Sequence, residues 1–295
     1  MSNYIVDGAD LTSVANAIRT KGGTSAQLAF PAGFVDAIED IETGGSGEWT
    51  TDGIATNEEP SGAITINSTS IAAYAFYGKT RITSFSCPNV TDLYTYAFSG
   101  CTGVTSLTLP KMTWHGKYAF SGMTNLAYLS CPAMTRNYDK FCVGNSKLSE
   151  AHFDSLTQIA ADQFLEGTSI ETLVFPAFSG GVYRASLRSN TKLKAVDFKA
   201  CTYVDGTAFS GCTVLSTLVI RGSSLTTLSN ISAFDATPFA SGNAGGTLYV
   251  PSALISSYQA ATNWSTILGY TNNSIEAIEG SIYETQYADG TPINS

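Results

Sequence analysis

Six cysteines and two histidines are the side chains of this 295-residue sequence best suited to attack a bond or hold a transition metal. His152 is the first to weigh, because Glu150 and Asp154 stand two residues to either side of it. An imidazole between carboxylates imitates a catalytic pair or part of a metal site. Either use needs more: a nucleophile held against the imidazole, or further ligands at fixed spacing. Neither is written nearby. The cysteines form no CxxC pair and no Cys/His zinc spacing. There is no P-loop, HExxH or GxSxG pattern, and Gly44, Gly45 and Gly47 read as a linker rather than a phosphate loop. The acidic residues are scattered, without a pair set for glycoside hydrolysis. The sequence predicts no catalytic residue, no metal ligands and no cofactor. An enzymatic alternative would have to act through His152.

The elements that hold these residues come from a repeat. "YAFSGCTGVTSLTLP" begins at Tyr96 and "YAFSGMTNLAYLSCP" at Tyr118, 22 residues later. An aromatic marker starts each unit: Phe76, Phe98, Phe120, then Cys142, Phe164, Leu187 (after one extra residue) and Phe209. Three apolar columns follow each marker, headed by Ile82, Phe85 and Cys87 and continuing as far as Leu215, Leu218 and Ile220. The last two of these alternate with polar neighbours, the period-2 pattern of a short strand with one buried face. A proline often ends that strand (Pro88, Pro110, Pro132, Pro176). A second extended run then points Val90, Met112, Met134, Leu156, Phe178 and Cys201 inward, beside a ladder of Thr91, Thr113, Thr135, Thr157, Ser179 and Thr202. Such a unit cannot bury its own apolar face, so successive units must stack as coils about 4.8 Å apart.

The columns also place the reactive residues. Cys87 and Cys131 share a slot two coils apart, about 10 Å by strand spacing and too far to bond. Cys142 replaces a marker, Cys201 a strand residue, and Cys101 and Cys212 share another slot. All six read as buried thiols used as small hydrophobes. His115 falls in a mostly inward column with Leu93, Ile159 and Val204, whereas His152 falls on the outward side of the first strand.

The pattern AFxGCxxLxxLxLPxxxTxI resembles the BspA-like leucine-rich repeats of bacterial surface proteins, over residues 64–280. It predicts a mainly β leucine-rich-repeat solenoid of about seven 22-residue coils, residues 48–245 with an N-terminal strand cap. Residues 246–295 resemble the family's C-terminal cap: a strand ending at Pro251, then an amphipathic helix facing the last coil with Leu254, Ile255, Tyr258 and Ala261, and Trp264 over its edge. Residues 1–43 read as a small helical module, with Asp10 capping a helix striped by Leu11, Val14, Ala15 and Ile18, and residues 44–47 as a flexible linker. The stretch "ADLTSVANAIRTKGGTS" resembles N-terminal segments of phage and prophage structural proteins.

The resemblances imply a non-catalytic binding or adhesion protein that recognises a cell-surface protein or glycan, carried on a virion as a tail-associated component. Residues 1–43 would attach to other virion proteins. A bacterial cell-surface adhesin and an architectural virion protein without a receptor are the alternatives. Charged residues make up only 13% of the chain and the net charge is −9, which disfavours nucleic-acid partners. No stretch is apolar enough to span a bilayer and no secretory signal opens the sequence, in keeping with a virion location rather than export. The oligomeric state is left open, since no heptad stretch demands one.

Two sets of residues are candidates for binding. The first-strand face offers Ser84, Ser86, Ser106, Thr108, Tyr128, Ser130, His152, Thr172 and Asp197, an extended surface rich in hydrogen-bonding groups. The aromatic columns offer Tyr74, Tyr94, Tyr96, Trp114, Tyr118 and Tyr138, large contact area at small entropic cost.

Overall fold

The computed structural model of the protein describes residues 60–137, 140–159 and 162–293. The helical module of residues 1–43, the linker 44–47, residues 48–59 and Tyr138 lie outside the described residues. From Pro60 onward the chain winds into a parallel β-solenoid of about seven coils. Within each of three sheets the first strand of a coil pairs in parallel with its counterpart one repeat on, Ser106 with Tyr128 and Leu107 with Leu129 for example. The second side is built the same way from two-residue strands, Asp92–Leu93 aligned with Trp114–His115 and Gly181–Val182 with Tyr203–Val204.

The core lies between the two sides and is filled by the columns read from the sequence. Phe76, Phe98 and Phe120 stack along the axis with ring centroids 5.8 and 6.0 Å apart. Each buried Phe or Leu contributes about 1.5–3 kcal/mol, and no coil has another place to bury them. Cys142, the small residue among the markers, is compensated by Phe141 beside it, packed 4.7 Å from Phe120 and 5.2 Å from Phe164. The backbone corrects the repeat register at this point. Leu165, not Phe164, occupies the marker slot: the Leu165 amide donates to the Ser186 carbonyl as Leu187 does to Ala208, while the Phe164 carbonyl accepts from Cys142. The extra residue therefore enters before this coil's marker rather than after it.

Two turn columns hold left-handed backbone. One is Tyr74, Tyr96, Tyr118, Lys140, Gln163 and Ala185, with φ between 34° and 61°. The other is glycine in every coil from Gly78 to Gly211 except at Ser189, which has φ 61°. A β-carbon in that region costs about 1–2 kcal/mol, partly offset by the greater freedom of glycine in the unfolded chain. Ser189→Gly is expected to stabilise the protein by about 0.5–1 kcal/mol, seen as a higher thermal midpoint.

The open end of the last coil is closed as the sequence predicts, but by two short helices, Ile255–Ala260 and Trp264–Leu268, with Asn263 at φ 66° between them. Tyr258 and Trp264 are fully buried. Trp264 Nε1 donates to the Thr226 carbonyl at 2.7 Å, and the Tyr258 hydroxyl donates to Thr226 Oγ1 at 2.8 Å. Strands Thr247–Val250 and Ser274–Ala277 extend the first-side sheet beyond the repeats.

Candidate binding surface

The strand alternation decides what faces solvent. Phe85, Leu107 and Leu129 point in, so Ser84, Ser86, Ser106 and Thr108 point out and are exposed, and Tyr128, His152 and Thr172 are partly so. Two predicted members of this face are not on the open surface. Ser130 is 8% exposed, set in register between Thr108 and His152 and beside the Tyr128 ring on the same face. Asp197 is 1% exposed because the C-terminal tail crosses over it. The Arg221 guanidinium grips its carboxylate through Nε at 2.8 Å and Nη2 at 2.6 Å, and the Ala288 amide donates to it at 3.0 Å. Arg221 also donates to the carbonyls of Tyr283 and Gln286, tying residues 283–288 down. Burial pushes the Asp197 carboxyl upward, opposed by Arg221 and the Ala288 amide.

Between Glu150–His152 and Thr172–Phe175 the first-side hydrogen-bond ladder is interrupted, and the strands fall into separate sheets. Ala151, partly buried against the core, stands there in the column that holds Leu107, Leu129 and Leu173. A groove of about 620 Å³ opens over it, walled by Glu150, His152, Asp154 and Thr172 on the solenoid and by Tyr287 and Asp289 of the tail. His152 Nε2 lies 2.8 Å from Glu150 Oε1, both side chains well exposed. The imidazole is thus paired with a carboxylate, as the sequence suggests. Among the described residues no thiol or hydroxyl is bonded to it, and no three of His, Cys, Asp and Glu are placed to hold a metal ion.

The aromatic columns form a second surface. Tyr74, Tyr96 and Tyr118 stack face to face, centroids 5.0 and 4.8 Å apart and planes 17° and 9° from parallel. Tyr77 packs edge-on against Tyr74 and Tyr96, and the Lys140 ammonium sits 5.2 Å from the centre of the Tyr118 ring. Tyr94 and Trp114 meet edge to face at 5.2 Å. Tyr77 and Lys140 escape the sequence reading because each departs alone from its column: Tyr77 stands where later coils have Ser99 and Ser121, and Lys140 follows Tyr74, Tyr96 and Tyr118.

The six cysteines are free and buried. Burial pushes Cys87, Cys101, Cys201 and Cys212 up to about 12, and Cys131 and Cys142 well above the usual thiol range, so all stay protonated. They are not merely small hydrophobes. Cys101 Sγ donates to the Phe76 carbonyl and Cys212 Sγ to the Leu187 carbonyl, both at 3.0 Å. Their slot holds Asn145 and Asn190 in other coils, each of which bonds both to a neighbouring amide and to a carbonyl. Apart from Met123, the slot from Cys101 to Cys212 holds side chains able to bond to the buried turns.

His115 is fully buried as predicted, 4.5 Å from the Phe141 ring, with Nδ1 donating to the Gly116 carbonyl at 3.1 Å. Burial pushes it down to about 4, opposed by the bond to the Gly116 carbonyl. The folded state therefore stays neutral while the unfolded chain takes a proton below about pH 6.5. Stability is complete above that value and falls as the pH drops from about 6.5 to about 4, by about 3 kcal/mol in total. His115→Leu, matching Leu93 one coil earlier, is expected to remove that loss. Urea unfolding at pH 7 and pH 4.5 checks it, and a variant as acid-sensitive as the parent would contradict it.

Comparison with known proteins places the repeat. Residues 69–188 and 154–239 match the family described as "BspA type Leucine rich repeat region (6 copies)". A leucine-rich repeat protein of Bacteroides ovatus, known from a crystal structure, is 16% identical, with 74% of this chain and 84% of that one covered and a TM-score of 0.27. The T. pallidum Leucine Rich Repeat protein is 15% identical over 72% and 85% of the two chains, with a TM-score of 0.26. No curated protein matches.

Proposed function

The chain belongs to the BspA-type leucine-rich repeat family, and on that premise we propose that it is a non-catalytic binding protein recognising a cell-surface protein or glycan through the first-strand face. The observation that carries this reading is the run of exposed Ser84, Ser86, Ser106 and Thr108, uncharged and continuous across coils, leading through Tyr128 into the groove at His152. Such a face binds by shape and many weak hydrogen bonds rather than through one reactive group. The proposed carrier is a phage or prophage virion, with residues 1–43 attached to other virion proteins and the solenoid presented outward. The resemblance of the N-terminal segment supports that placement.

Labelled full-length protein, added to bacterial cells of the source strain and its relatives, is expected to bind saturably; absence of binding would favour an architectural role. Immunodetection across a density gradient of induced lysate separates the carriers. Signal in the virion band supports the proposal. Signal confined to cell envelopes favours the second reading, a bacterial surface adhesin, to which the family match lends weight.

A further inference from the structure

The net charge of −9 conceals a division along the chain. Residues 60–149 carry seven Lys or Arg (Lys79, Arg81, Lys111, Lys117, Arg136, Lys140, Lys147) against two Asp, whereas residues 150–295 carry six against twelve Asp or Glu. The early coils are basic in an acidic protein. Their second side and its bordering turns hold the aromatic columns, so cations and rings are interleaved. Trp114 lies in register with Asp92 on the second-side sheet, Arg136 takes the corresponding slot one repeat later, and Lys117 follows that strand in the turn leading to Tyr118. Tyr94 is 46% exposed, and Lys117 and Arg136 are exposed.

The tyrosine ladder bordering this strip has little ring face left open. Tyr96 has its two ring faces against Tyr74 and Tyr118, and Tyr118 has its own against Tyr96 and the Lys140 ammonium. A sugar stacks its C–H face on an open ring face, and in the middle of this ladder those faces are taken. Beside the ladder, exposed Tyr94, Lys117 and Arg136 carry O–H and N–H donors that suit carboxylates, and Tyr, Trp and Arg are enriched in protein interfaces. We propose that the second-side strip of the early coils, built from Tyr94, Trp114, Lys117 and Arg136, is a docking surface for a protein partner presenting an acidic patch. It goes beyond the first-strand reading and lies on the other side of the coil, so each can fail without the other.

The test uses the full chain and three immobilised probes: poly-L-glutamate, heparin and uncharged dextran. Poly-L-glutamate is expected to bind at low ionic strength and to weaken as salt is raised. Lys117→Glu with Arg136→Glu is expected to lower that affinity about tenfold, and Tyr94→Ala about fivefold or more. Lys199→Glu in the acidic half should change it less than about twofold. Circular dichroism confirms that the exposed substitutions leave the fold intact. Preference for heparin with no binding to poly-L-glutamate would overturn the proposal in favour of a sulfated glycan. Binding that ignores Lys117, Arg136 and Tyr94, or no binding to either polyanion, would overturn it outright.

Discussion

Trp264→Ala is expected to cost the folded chain about 3–5 kcal/mol, the largest loss of any single side chain in the cap. Trp264 is fully buried, lies 5.9 Å from Phe234 and 5.4 Å from Tyr258, and donates to the Thr226 carbonyl. Truncation would remove the plug that covers the final coil and leave that carbonyl unpaired in an apolar setting. Because each coil is buried by the next, damage at the end spreads: the exposed coil is the one from which unfolding proceeds. Urea unfolding followed by circular dichroism measures the cost, and hydrogen exchange should show protection lost first around residues 217–250. A cost below about 1 kcal/mol would mean that the two helices are an appendage rather than a cap.

Arg221→Ala should be comparably severe, about 3–5 kcal/mol, because it strands a carboxylate that is 1% exposed. The comparison with Lys194→Ala isolates the reason. Lys194 makes an equally short contact with Glu171, 2.7 Å, but both side chains are more than half exposed. That pair lies in water and should contribute no more than about 1 kcal/mol. The second readout is the tail. With Arg221 gone, residues 283–288 lose three of their anchors: two hydrogen bonds to carbonyls and the contact of the guanidinium with the Tyr287 ring, 5.2 Å from its centre. Proteolysis within 283–293 should then run ahead of global unfolding. Replacing Asp197 and Arg221 together by Leu and Met should recover much of the stability without restoring the tail.

The repeat was legible because its physics is local and periodic. A coil must bury Ile82, Phe85 and Cys87 and their successors, and a chain that repeats the same burial announces it. The inward assignments from Val90 to Cys201 follow from the same rule, and all of them are buried. What the columns miss is whatever happens once. The register slip at Leu165 is invisible because Phe164 is itself a good core residue, and only the backbone partners tell the two apart. The burial of Asp197 depends on a tail that begins some 85 residues later and has no repeat to announce it. Cys101 and Cys212 looked apolar because composition does not reveal that their slot faces turn carbonyls. For the candidate surface, strand alternation identified the exposed serines and threonines of the early coils. The groove at His152 was hidden, since one of its walls is the C-terminal tail, Tyr287 and Asp289, far away in the sequence and outside the repeat.

The central claim is that the first-strand face carries recognition. The most direct measurement is equilibrium binding of the full chain to isolated bacterial envelopes, with and without Ser106→Arg and Thr108→Arg together. Both residues are exposed on a paired strand, so the long side chains project into solvent and leave the core untouched. The account predicts unchanged thermal stability and an affinity lowered by about tenfold or more. Equal binding by the two proteins would contradict it and move recognition to another surface of the coil.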